Sequence, residues 1–209
     1  MEENVAILMA DLAGYTALTE THGGISAAET VERYLHIVKG SIVGDCRLHE
    51  QTGDEVMIVS HSADDLLATA DKILRASLFE DNFLPMHGGL HFGKALKRNR
   101  QYFGTAVNLA ARITSVARAG TLLGTRDFLD ALEGKARDQF QSMGKQNFKN
   151  LRSPIEVFEL APECSLDHYI DPVCKMLVRQ RQNAVVHPCN NHLHFCNQEC
   201  LDIYMEAAC

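Results

Sequence analysis

Residues 5–11, VAILMAD, form an unbroken apolar run that ends on a carboxylate and is soon followed by Gly14, the pattern of a buried strand delivering Asp11 to a loop. Ser26 and Glu29 make a capping box. Ala28, Val31, Leu35, Val38 and Ile42 then recur at spacings of three and four, which predicts an amphipathic helix over 26–43. Two β-like runs follow at 45–52 and 55–60, hinged at Gly53-Asp54, a dipeptide suited to a tight turn. A second amphipathic helix is expected over 63–79, with Leu66, Ala70, Ile73 and Leu74 on its inner face, and then a strand over 86–96. Helices near 105–118 and 126–133 and strands near 138–142 and 155–160 complete the pattern. The order β-α-β-β-α-β, with further additions, predicts an α+β chain of the ferredoxin-like, split βαβ kind. Its antiparallel-rich sheet is expected to carry helices over one face.

The periodicity lapses between Ala161 and Asp171, around Pro162. We therefore expect a main domain over 1–161, a linker over 162–170 and a small Cys-rich, metal-binding tail over 171–209. Of the seven cysteines, Cys46 stands alone, whereas Cys164, Cys174, Cys189, Cys196, Cys200 and Cys209 crowd the last fifth of the chain. A net charge of -7 gives no support to a general electrostatic grip on nucleic acid, so any phosphate ligand must be held by local groups or by metal. No run approaches the ~18 apolar residues of a membrane span, and the N-terminus lacks the basic start of a signal peptide. A cytoplasmic protein without a membrane partner is expected. Thiols stay reduced there, so the clustered cysteines read as metal ligands or core residues.

Three segments hold candidate chemistry. The segment 7–20, ILMADLAGYTALTE, puts Asp11 at a strand end beside a small-residue loop, and 50–60, EQTGDEVMIVS, puts Asp54 at a hairpin turn. Neighbouring central strands would let the two carboxylates converge on Mg²⁺ or Mn²⁺. Taken singly, each Asp is a common cap or turn residue. The segment 103–120, FGTAVNLAARITSVARAG, sets Asn108 and Arg112 four apart on one helix face, flanked by Val107, Ala110, Ala111 and Ile113. Asn can bond a ribose and Arg can fork onto a phosphate.

In this order the three segments resemble the class III adenylyl and guanylyl cyclase family over about residues 5–160. The resemblance implies two divalent cations on Asp11 and Asp54, and a triphosphate cradled by the backbone of Leu12, Ala13, Gly14, Tyr15 and Thr16. It further implies that Asn108 orients the ribose and that Arg112 neutralises charge developing on the α-phosphate. In the family the carboxylates and the Asn/Arg pair come from different subunits, so a homodimer with nucleoside triphosphate as substrate is implied. The alternative is a catalytically silent, nucleotide- or metal-responsive module. Segment 148–160, FKNLRSPIEVFEL, resembles the family's final strand, where Lys149, or alternatively Arg152, would contact the terminal phosphates. At the position four before the second metal carboxylate, where adenylyl cyclases usually have Lys and guanylyl cyclases Glu, this chain has Glu50. Gln101, seven before the Asn, fits neither pattern. Base choice therefore leans slightly toward GTP, with ATP open.

The tail segment 171–200, DPVCKMLV…HFCNQEC, resembles the YHS family of short metal-associated domains. Cys174, Cys196 and Cys200 match, with Phe195 as the aromatic, and Lys175 stands where the family commonly has Gly. Three thiolates imply Zn²⁺ or another soft ion, with Cys189, His187, His192 or His194 as the fourth ligand.

Overall fold

The computed structural model describes residues 1–149, 151, 153–161, 168–179 and 184–207. In chain order the main elements are β1 (Glu2–Leu12), α1 (Tyr15–Ser41), β2 (Arg47–Thr52), β3 (Glu55–Ser60), α2 (Ala63–Phe79), β4 (Met86–Arg98), β5 (Gln101–Phe103), α3 (Thr105–Thr114), β6 (Leu122–Thr125), α4 (Arg126–Asp130), β7 (Phe140–Gln146) and β8 (Ile155–Leu160). The tail adds β9 (His168–Ile170), β10 (Leu177–Arg179), β11 (Val185–His187), β12 (Asn190–Phe195) and α5 (Gln198–Ala207).

The principal sheet runs β2-β3-β1-β4-β6-β8-β7, with β5 paired to β4. Its β2-β3-β1-β4 portion has the strand order expected of a split βαβ unit, with β1 antiparallel to both β3 and β4. β6 joins β4 in parallel, and β8 and β7 continue antiparallel.

The helices do not share one face, as the sequence order had implied. Ala6, Leu8, Ala10 and Leu12 of β1 pack with α1 and α2, while Val5, Ile7 and Met9 pack with Ala106 and Ala110 of α3 on the opposite face. The apolar run of β1 had this cause, since a strand covered on both faces has no solvent side to keep polar. Helix α3 approaches β4 where Gly89 lies: an added Cβ would stand 2.6 Å from the carbonyl of Ala110 and from the amide of Thr114. Gly89→Ala is therefore expected to lower stability by about 1–3 kcal/mol, read as a reduced denaturation midpoint, because the obstructing atoms are backbone.

α2 matches the expected span, and its N-cap Ser62 accepts from the amide of Asp65 at 3.1 Å. α1 consists of two helical segments joined by a kink at Gly23: an additional first segment follows Gly14, which is in the left-handed region at φ 94°, and the second covers most of the expected helix and ends at Ser41. Ser26 is interior rather than a cap, and its carbonyl accepts the Thr30 hydroxyl at 2.8 Å. The buried stripe is Ala27, Thr30, Tyr34, Val38 and Ser41, whereas Ala28 is exposed. The observed stripe shares Val38 with the expected one and otherwise runs one position earlier, because Thr30 and Tyr34 fill core positions; a Tyr ring is apolar over most of its surface.

Of the expected linker, 162–167 lies outside the described residues, as do Cys164 and Cys209, while 168–170 forms β9 and pairs with β10. The tail shares the main core: Cys174, Met176, Phe195, Cys200 and Leu201 join the apolar cluster that contains Leu12, Phe83 and Leu84. The amide of Leu177 donates to the carbonyl of Phe83 at 2.8 Å. Among the described residues, no helix is long and apolar enough to cross a membrane.

Candidate functional site

Asp11 stands near the end of β1 and Asp54 in the tight turn that joins β2 to β3. The antiparallel register of Ala10 with Val56 brings that turn beside the strand end. A cavity of ≈ 270 Å³ is lined by Asp11, Leu12, Ala13, Gly14, Tyr15, Thr16, Asp54 and His87. Burial, followed by a hydrogen bond and repulsion from Asp11, pushes the Asp54 carboxyl up to about 7. The buried Tyr34 hydroxyl and His87 Nδ1 have no hydrogen-bond partner among the described residues. Burial, together with the charges of Asp11 and Asp54, drives the Tyr34 phenol far above its ordinary range. Burial also lowers the His87 imidazole, with partial opposition from Asp11. Two crowded carboxylates, one of them reluctant to ionise, form an oxygen-rich site that suits hard divalent cations.

The loop divides its amides more narrowly than the sequence implied. The N–H of Leu12 donates to Asp11 Oδ1 at 3.0 Å and that of Ala13 to the Pro85 carbonyl at 2.9 Å, so both are engaged. Tyr15 and Thr16 open α1, where N–H groups lack intrahelical acceptors and helix polarity favours an anion.

Asn108 and Arg112 lie on α3, the first exposed and the second half-buried, while Leu109 and Ala110 between them and Ile113 just after them are buried. Neither lines the carboxylate cavity. Glu50 and Gln101 are exposed on β2 and β5, and Tyr102 brings their segments together. Its hydroxyl accepts from Arg47 Nη2 at 2.7 Å and its ring meets that of His49 edge-on at 4.9 Å. Lys149 is exposed in a turn ahead of β8, and Arg152 lies outside the described residues.

In the tail, the Cys174 and Cys200 sulfurs each lie 3.5 Å from that of Cys196. The fourth group in this cluster is none of the four anticipated. Cys189 is exposed and its amide donates to His187 Nδ1, His192 is exposed, and the His194 ring stacks on Tyr169 at 3.6 Å. Instead His22 of α1 brings Nε2 to 3.6 Å from both Cys196 and Cys200. Sequence spacing gave no signal for a ligand so remote along the chain. Buried Asp171 organises the cluster by accepting from the amides of Val173 at 2.7 Å, Cys174 at 3.3 Å and Cys196 at 2.8 Å. Lys175 adopts φ 68°, a left-handed conformation that explains why Gly suits this position.

No family model matches the chain. It is 28% identical over 159 residues to a pH-sensitive adenylate cyclase of Mycobacterium tuberculosis, an alignment covering 75% of this chain and 40% of that protein. An adenylate cyclase of Glutamicibacter nicotianae is 32% identical over 133 residues, covering 63% of this chain and 33% of the relative. The chain thus spans two fifths or less of the length of these relatives. Among solved structures, monomeric adenylate cyclase from Trypanosoma brucei superposes with a TM-score of 0.69 at 19% identity, covering 86% of this chain and 94% of that one. An adenylate/guanylate cyclase/hydrolase from Silicibacter pomeroyi gives 0.63 at 23% identity, covering 78% and 99%.

Proposed function

Proceeding from a fold shared with adenylyl and guanylyl cyclase domains, we propose that this chain is a class III nucleotide cyclase. It closes a nucleoside triphosphate into a 3′,5′-cyclic monophosphate and releases pyrophosphate. The observation that carries this reading is the convergence of Asp11 and Asp54 with the opening turn of α1 in a single cavity.

Asp11 and Asp54 are the residues that hold two Mg²⁺ or Mn²⁺ ions; when bound, such ions lower the pKa of the ribose 3′-hydroxyl and offset the charge of the triphosphate. The amides of Tyr15 and Thr16 donate to phosphate oxygens. Asn108 orients the ribose, and the Arg112 guanidinium neutralises charge that develops on the α-phosphate, an interaction strongest in the transition state. Lys149 reaches the terminal phosphates. As the resemblance to class III cyclases implies, a second copy of the chain supplies Asn108 and Arg112, in a homodimer with two equivalent sites; their position outside the carboxylate cavity is compatible with this. Glu50 accepts from guanine N1–H and the N2 amino group, which favours GTP. Gln101 both donates and accepts and so discriminates little from ATP. Cys174, Cys196 and Cys200 bind a soft or borderline ion in the tail.

The test is an assay of purified protein with Mn²⁺ or Mg²⁺ and each of ATP, GTP, CTP and UTP, resolving cyclic products chromatographically, with Asp54→Ala as control. A cyclic product that disappears in the variant is the expected result and names the base. No product from a folded dimer would point to a silent regulatory module instead.

A further inference from the structure

The donor atoms of His22, Cys174, Cys196 and Cys200 all lie within 4.8 Å of one another. A tetrahedral ion with bonds of about 2.0–2.3 Å spaces its ligands about 3.3–3.8 Å apart. The 3.5 Å sulfur–sulfur and 3.6 Å nitrogen–sulfur separations fall in that range. They are far longer than a disulfide bond of about 2.05 Å, and a crosslink between two sulfurs would leave the equally close third sulfur and imidazole unexplained. Cys174 and Cys200 are fully buried, and the Asp171 carboxylate ties the loop of Cys174 to that of Cys196 through their amides. The ligand set is therefore oriented by groups behind it, as a metal centre requires.

We propose that these four residues form a Cys₃His centre for a zinc-class ion, in which His22 of the cyclase-like domain closes the coordination and fastens the tail beside the candidate triphosphate loop. His22 immediately precedes the kink at Gly23, in the same helix that begins at Tyr15. On the tail side, Lys175 follows Cys174 and lies against Gly14, where an added Cβ would stand 2.3 Å from Lys175 Cβ. The tail thus meets α1 and the residue before it at two points, His22 beside Cys196 and Cys200, and Gly14 beside Lys175. An ion held by one partner alone would leave that contact to the apolar packing; an ion held by both locks the turn in place. The significance for catalysis rests on the cyclase reading, but the centre itself does not.

The experiment uses the full chain and needs no turnover. Zinc is measured by elemental analysis, Co²⁺ replacement is followed by absorption, and hydrogen exchange is compared before and after chelation. The expected results are one ion per chain, thiolate-to-cobalt charge transfer with tetrahedral d–d bands, and faster exchange after chelation in 12–22 as well as in 171–200. His22→Ala should weaken the ion by at least the ~10–100-fold that loss of a supporting partner costs, and His22→Cys should restore much of the affinity. Absence of bound ion, unchanged affinity in His22→Ala, or an exchange response confined to the tail would each overturn the proposal. Because none of these readouts depends on nucleotide, an inactive protein that still binds zinc in this way would sink the cyclase reading and leave the centre standing.

Discussion

Chains carrying Asp54→Ala and chains carrying Arg112→Ala are each expected to be nearly inactive alone and to regain activity on mixing. Removing a metal carboxylate or the phosphate-facing guanidinium takes away several kcal/mol of transition-state stabilisation, a loss on the order of 10³-fold in kcat. In a mixed dimer, the Arg112→Ala chain still carries both carboxylates and its partner still carries an intact Arg112. One site is then whole and the other lacks both contributions. Free exchange of subunits makes about half of the dimers mixed, so recovery should approach about one quarter of the wild-type rate. The structure motivates the experiment because Asp11 and Asp54 line the cavity whereas Asn108 and Arg112 do not. Failure to recover activity in demonstrably mixed dimers would sink the shared-site arrangement.

A steep pH dependence of metal activation is the second large effect. In the metal-free protein the Asp54 carboxyl is raised to about 7, first by burial and then by Asp11. A raised carboxyl pKa means that the folded state favours the proton relative to the unfolded chain. The associated stabilisation is fully present below the ordinary carboxyl range and is lost as pH rises through about 7. A divalent cation must displace that proton below about pH 7, so its apparent affinity should fall about tenfold per pH unit there and level off above. Titration of Mn²⁺ binding between pH 5.5 and 8.5, a range chosen to bracket the ~7 midpoint, would show the break. Asp54→Asn should remove the break and raise the thermal midpoint of the metal-free protein at the alkaline end, because it takes away one of two repelling charges. A flat profile would mean that Asp54 carries no proton in competition with the ion.

Much of the architecture could be read from residue order. The unbroken apolar run before Asp11, the Gly53-Asp54 turn and the periodic stripe of 63–79 led to β1, the β2–β3 hairpin and α2, because each is a local pattern with a local cause. α1 was partly legible: Val38 lies on the stripe as expected, whereas Thr30 and Tyr34, buried residues with polar atoms, were not among its expected members. The split of helices across two faces was present in the composition of β1, which has no polar side to show to water.

The chain's sequence alone determined which side chains are available for chemistry: Asp11 at a strand end, Asp54 in a hairpin turn, Asn108 and Arg112 on one helix face, and three tail cysteines of matching spacing. Only the tertiary structure decided who meets whom. It engages the Leu12 and Ala13 amides, crowds Asp54 against Asp11, leaves Tyr34 and His87 with polar atoms that have no partner among the described residues, and seats Lys175 against Gly14. It also sets His22 of α1 beside Cys196 and Cys200. The physical reason is range. Periodicity and turn chemistry act over a few residues, whereas a site assembled across a sheet or between a helix and a distant tail is fixed by the shared core that packs them together, which no local spacing encodes.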